Sequence, residues 1–183
     1  MVTASRVVSN LAVLVLGAAG VSACVPVAPK SAGDASPPET ALPIGPVRFE
    51  YPSLDDASVS AIAFRGKPAV LAFLVSDTLA GQAEATILAG MAQRAPDAAH
   101  FVVIAVEPDE RRELVQGFLR FFTDKTHALV LGAMADKDTL LGHGPFGDVR
   151  ALTVVVLDAG GRVVLRRAGI VQAVDIARAL KAM

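Results

Sequence analysis

Beyond position 24 the sequence contains no cysteine, and Cys24 is the only one in its 183 residues. A domain folded downstream of it has neither a disulfide nor a thiolate nucleophile, so thiol redox chemistry has no carrier there. Basic excess is also lacking. The chain has 17 Lys and Arg against 18 Asp and Glu, with a pI of about 6.3, and that balance creates no field to hold a phosphate backbone. Nucleic acid is therefore not an expected partner. No Gly-x-Ser-x-Gly, His-Glu-x-x-His or Gly-Lys-Ser/Thr phosphate-loop string occurs. The three histidines, His100, His127 and His143, lack the i, i+4 or short-loop spacing of a metal site. No catalytic residue, metal ligand set or cofactor motif is expected, and the balance leans away from an enzyme.

Charge is scarce at the start of the chain. Arg6 is the only charged residue before Lys30, so losing residues 1–23 moves the net charge from −1 to −2. After Arg6 comes the apolar run Leu11-Ala12-Val13-Leu14-Val15-Leu16-Gly17-Ala18-Ala19-Gly20, which exits through Val21-Ser22-Ala23-Cys24. A cationic start, a short apolar stretch and a small-residue exit are the parts of a secretory signal peptide. Val-Ser-Ala-Cys resembles a bacterial lipobox, where diacylglycerol is added to the cysteine and the chain is cut before it. That resemblance implies a signal peptide over 1–23, a lipid on Cys24 and a place on the extracytoplasmic face of a cell-envelope membrane. Each buried CH₂ contributes about 0.8 kcal/mol, so two or three acyl chains would anchor the chain firmly. Two other readings are an uncleaved anchor, because Leu11 to Ala28 approaches spanning length, and a chance cysteine beside an ordinary cleavage site.

The segment Val25 to Pro46 holds Pro26, Pro29, Pro37, Pro38, Pro43 and Pro46 among Ala, Ser and Gly. Such a composition cannot bury enough apolar surface to offset chain entropy. With Cys24 it reads as a tether over 24–46, reaching up to ~70 Å at about 3.1 Å per residue. The folded domain is then 47–183.

Within that domain Ala69 to Val75 is an unbroken apolar run, the pattern of a strand buried on both faces. A helix is predicted from Gly81 to Arg94, with Ile87, Leu88, Met91 and Ala95 on its buried stripe. Phe101 to Val106 is a second buried strand. Pro108 opens the next helix, with Asp109 and Glu110 in its first turn and Leu114, Phe118, Phe121 and Phe122 as its buried face. A short strand is predicted over Ala128 to Leu131, followed by the Gly-rich stretch Gly142 to Gly147. Thr153 to Leu157 and Arg162 to Leu165 flank Asp158-Ala159-Gly160-Gly161 as a β-hairpin. The last helix, from Val171, is predicted to bury Val174, Ala177 and Leu180 and to expose Asp175, Arg178 and Lys181. The order β-α-β-α-β-β-α implies a sheet that is parallel first and antiparallel at the hairpin, with helices on both faces.

That order and several local strings resemble the thioredoxin superfamily, and within it the membrane-tethered thiol:disulfide reductases of the TlpA type. The strings are Gly66-Lys67-Pro68 before the first core strand and Phe73 to Ser76 leading into the site loop. Two more are Val149 to Thr153 before the hairpin and Leu157-Asp158-Ala159-Gly160-Gly161-Arg162 at its turn. The resemblance implies a thioredoxin-like three-layer α/β/α sandwich with a central mixed sheet.

In that family the loop after the first core strand carries Cys-x-x-Cys. Here Thr78 and Gly81 stand at the two positions, and Leu152 or Thr153 stands where the family has a cis-proline. A hydroxyl with no adjacent base is not ionised at neutral pH, and glycine has no nucleophile. Thr78-x-x-Gly81-x-x-Glu84 also resembles the peroxiredoxin pattern Thr-x-x-Cys-x-x-Glu, with Gly81 in place of the reactive cysteine; Arg150 lies about two positions early for that family's arginine. In the plain reading Thr78 caps the helix and Glu84 is solvated. His143 precedes the antiparallel hairpin strand, at the end of the sheet that holds Thr78, whereas His100 and His127 are expected at the opposite end. The related copper chaperones pair a histidine with two cysteines, which this chain lacks, so the plain reading of His143 is a solvated loop. Arg162, Arg166 and Arg167 are expected on the solvent face of an edge strand.

The combined expectation is a lipid-anchored envelope protein whose thioredoxin-like domain is redox-inactive and acts by binding. Its candidate binding loop comprises Asp77, Thr78, Gly81, Glu84, His143, Asp148 and Arg150. Its expected partners are the membrane, through Cys24, and an envelope protein or peptide. The alternatives are an oxidoreductase or peroxiredoxin-like family member with unusual chemistry, and a structural envelope lipoprotein.

Overall fold

The computed structural model describes residues 41–55, 58–126, 130–136, 144–147, 149 and 151–183, all within one compact unit, Pro38–Met183. Cys24, the signal segment and most of the tether lie outside the described residues, as do His127, His143, Asp148 and Arg150.

The core is a five-stranded sheet. Its elements are β3 (Ala69–Leu74), β4 (His100–Val106), β5 (Val130–Ala135), β6 (Thr153–Leu157) and β7 (Val163–Ala168), in the spatial order β5-β4-β3-β6-β7. The pairs β3–β4 and β4–β5 are parallel; β3–β6 and β6–β7 are antiparallel. All six residues of β3 are buried, as an unbroken apolar run requires. Asp158 closes the hairpin by accepting from the Arg162 N–H at 2.8 Å, and Gly161 supplies the positive φ of 77° that the turn needs.

The sheet residues alternate between two clusters. Val70, Ala72, Leu74, Val103, Val154 and Val156 face α1 (Leu79–Arg94), α2 (Arg112–Thr126) and α3 (Ala173–Lys181). Leu71, Phe73, Val102, Ile104 and Val155 face the other way, onto Phe64, Phe146 and a two-stranded ribbon of β1 (Glu50–Tyr51) and β2 (Val59–Ser60). That ribbon, too short to carry a periodic signal, was not predicted.

Several expected details are corrected. Helix α1 starts at Leu79, and Ala95 is its exposed C-cap and not part of the buried stripe. On α2 the buried residues are Val115, Leu119 and Phe122, while Leu114 and Phe121 are exposed. Two apolar stripes run side by side on this helix, and only 115/118/119/122 meets the sheet. On α3 Ile176 is buried and Val174 exposed. A stripe spaced by three alone drifts around a 3.6-residue helix, and the packed set is 173/176/177/180. The short strand expected over 128–131 is β5, from Val130 to Ala135, with Ala128 and Leu129 outside the described residues. Of the three arginines near the edge strand, Arg162 and Arg167 are exposed, whereas Arg166 is half-buried and donates to the Phe146 carbonyl at 2.6 Å.

Candidate functional site

The site loop runs from the C-terminal end of β3 into α1. Thr78 is the N-cap in extended backbone. Its Oγ1 accepts from the Gly81 N–H at 3.0 Å and donates to the Val75 carbonyl at 2.9 Å, as expected of a capping threonine. Its hydroxyl proton is thus directed at a backbone carbonyl, with no side-chain base in the bond. Gly81 is buried on the first turn. A Cβ built there would fall on the Val75 carbonyl oxygen, well inside van der Waals contact, and beside Thr78 Oγ1 at 2.9 Å. The loop is therefore drawn in around a glycine. It has no space for a second thiol in this conformation.

The neighbouring carboxylates differ sharply in environment. Asp77 is half-exposed and Glu107, at the end of β4, is buried. The Ser76 N–H donates to Glu107 Oε1 at 2.6 Å. Arg111 binds Asp77 Oδ2 at 2.9 Å and lies 3.0 Å from Glu107 Oε2, an ion pair not aligned as a hydrogen bond. Its bond to Asp77 raises the guanidinium pKa, assisted by the charges of Glu107 and Asp77 and opposed by burial. Ser76, Asp77, Glu107 and Arg111 form one network joining the β3–α1 loop to the start of α2. Sequence reasoning found Asp77 and missed Glu107 and Arg111. Their signal was a glutamate at the end of a buried strand, with an arginine four residues on.

Glu84 contradicts the solvated reading. It is 1% exposed and accepts the Val171 N–H through Oε2 at 2.9 Å, while Oε1 has no partner. Burial raises its carboxyl pKa, and the Val171 bond pulls it partly back. Its side chain stitches α1 to the segment between β7 and α3, and so it does not line an open cleft with Thr78. His143, Asp148 and Arg150, the other members of the expected cluster, lie outside the described residues. His100 sits at the start of β4, at the opposite end of the sheet from Thr78 as expected. It stacks on Phe64 with centroids 5.0 Å apart, and burial and then Lys67 lower its pKa.

Leu152, one of the two residues expected where the thioredoxin family has its proline, immediately precedes β6, which begins at Thr153. Its φ of 69° is the only positive value among described non-glycine residues, and none of the described peptide bonds is cis. Its N–H donates to the Phe73 carbonyl at 2.8 Å and its carbonyl accepts from Gly169 at 2.9 Å. Both of its polar backbone groups are committed inside the sheet. Leu79, by contrast, presents an apolar side chain that is 85% exposed at the first turn of α1.

No family model matches the chain, and no curated protein matches it. Solved structures do. A DsbF homologue from Corynebacterium diphtheriae is similar at 21% identity and a TM-score of 0.62, covering 75% of this chain and 86% of its own. A thioredoxin-family thiol:disulfide interchange protein from Chlorobium tepidum TLS is 19% identical with a TM-score of 0.60, over 78% of this chain and 97% of its own. A SCO1/SenC family lipoprotein from Bacillus anthracis str. Ames is also 19% identical, with a TM-score of 0.59 and the same coverage. The fold is thioredoxin-like, a mixed five-stranded sheet flanked by helices.

Proposed function

We propose that this chain is a lipid-anchored protein of the cell envelope whose thioredoxin-like domain binds an envelope protein or peptide without exchanging disulfides. The observation that carries the redox part is the pair Thr78 and Gly81: the hydroxyl of one is spent on the helix cap, and the other has no space for a side chain. Cys24 is the only thiol and precedes the domain. A kept scaffold with a vacant reactive position can still grip an extended partner, since function resides in sites and not in folds. The exposed Leu79 beside a rigidly pinned loop supports a contact surface at that end. The lipobox-like string at Cys24 supports the anchor, as does the similar lipoprotein of B. anthracis.

Two measurements test this reading. Mass spectrometry of the mature N-terminus is expected to find acylated Cys24 as the first residue; a peptide beginning upstream, or an unmodified cysteine, removes the anchor. Photo-crosslinking from position 79 in the native envelope is expected to give a discrete adduct. An adduct pattern identical to that of a probe on the far end of the sheet removes the binding role.

A second reading, an oxidoreductase with unusual chemistry, draws on the disulfide-exchange names of the similar structures. It requires a reactive group that the described loop does not supply.

A further inference from the structure

A cavity of about 560 Å³ opens at the C-terminal ends of β4 and β5, between the β1 ribbon and the first turn of the helix after Pro108. Its volume falls in the range of small-ligand sites, about 300–1,000 Å³. The floor is apolar and buried, from Tyr51, Met134 and Ala135, with the Glu107 carboxylate at its edge. The exposed rim carries Glu50, Asp109, Glu110 and Asp136. Asp109 is taken by Arg112 at 2.7 Å, and Glu107 shares Arg111 with Asp77. Glu50 and Glu110 form no ion pair with any described residue.

An acidic rim alone is an ordinary solvated surface. Tyr51 is what distinguishes this one. The residue is 8% exposed, and its ring is held against Phe49 and Phe73 with centroids 5.8 and 5.9 Å apart. Its hydroxyl has no hydrogen-bond partner among the described residues, yet it is not among the sealed-in polar atoms, and the residue lines the cavity. Buried tyrosine hydroxyls find partners as a rule. Burial raises this one's pKa, so it stays protonated and neutral. No three His, Cys, Asp or Glu side chains among the described residues are grouped closely enough to hold a metal ion.

We infer that this cavity binds a small organic cation, an ammonium or guanidinium group on an apolar body. The cation pairs with Glu50 and Glu110 at the rim, and the body and one hydrogen bond are received by the Tyr51 floor. The shared chemistry has two sources, a free amine or a lysine side chain on a partner peptide. This site adjoins the Thr78 loop through Glu107, but its test does not depend on the redox reading above.

Tyr51 is the only tyrosine and the chain has no tryptophan, so intrinsic emission reports on this residue alone. The purified full chain is titrated with cyclohexylmethylammonium, with the neutral cyclohexylmethanol, with an end-blocked Gly-Gly-Lys-Gly-Gly peptide and with magnesium chloride. The two amine probes are expected to change tyrosine emission saturably. The alcohol and magnesium are expected not to. The double variant Glu50→Gln/Glu110→Gln, altered only at exposed positions, is expected to bind the amine about tenfold more weakly, the loss of one good charge-assisted contact. By calorimetry Tyr51→Phe, which keeps the ring, is expected to lose a few-fold. Tighter binding of the peptide assigns the source to a partner's lysine, and tighter binding of the free amine assigns it to a metabolite. The inference is overturned by no saturable change with either amine, by an equal response to the alcohol or to magnesium, or by unchanged affinity in the double variant.

Discussion

The carbonyl oxygen of Val75 occupies the space that a Cβ on residue 81 would need, so Gly81 is fixed by its neighbour and not by helix propensity. In an ordinary helix interior, alanine is favoured over glycine by about 1 kcal/mol. Here the sign reverses. Gly81→Ala is expected to destabilise the domain by about 1–3 kcal/mol, because the obstacle is backbone and cannot swing aside. Urea unfolding checks this, and a stabilised variant would mean that the loop relaxes freely.

Arg111 ties the loop to the start of α2 through two carboxylates of unequal burial. Arg111→Ala leaves the buried Glu107 carboxylate without its ion-pair partner and is expected to destabilise the domain more than Asp77→Asn does. Asp77→Asn removes only a half-exposed pair and should cost under about 1 kcal/mol. Equal losses in the two variants would show that Glu107 does not depend on the guanidinium.

Glu84 sets a pH dependence whose sign follows from its raised pKa. The folded state holds the proton more tightly than the unfolded chain, so its contribution to stability is complete below the ordinary value of 4.5 and is lost as pH rises through the folded pKa. Glu84→Gln keeps an acceptor for Val171 and fills the orphaned Oε1 position with a neutral group. The variant is expected to lose this falling component of stability and to exceed the wild type at pH 7. Parallel stability-versus-pH curves for the two proteins would rule out burial as the cause.

Leu152 holds a left-handed backbone that costs a non-glycine residue about 1–2 kcal/mol. Leu152→Gly and Leu152→Ala remove nearly the same side chain, but only the glycine relieves the strain. The glycine variant is expected to be the more stable by about 1 kcal/mol, measured by thermal unfolding. The reverse order would place the strain elsewhere.

Much of this fold was legible because its central strands are buried on both faces. Ala69 to Leu74 and Phe101 to Val106 read directly as continuous apolar runs, and Asp158-Ala159-Gly160-Gly161 as the turn between two more. The helices were harder to phase. Α2 carries two adjacent apolar stripes, and nothing local says which meets the sheet. At the site, the cap at Thr78 was legible because a cap is a local interaction. Glu84 was not, since its partner Val171 lies 87 residues away and a glutamate between two alanines reads as solvent-facing. Tyr51 and the acidic cavity escaped for the same reason: they assemble from three segments far apart in the chain.

The most direct test of the account is disulfide reduction by the purified chain itself. With insulin as substrate and dithiothreitol as electron source, the expected rate equals that of the protein-free blank, for the wild type and for Thr78→Ala alike. Turnover above the blank that depends on the folded domain would contradict it.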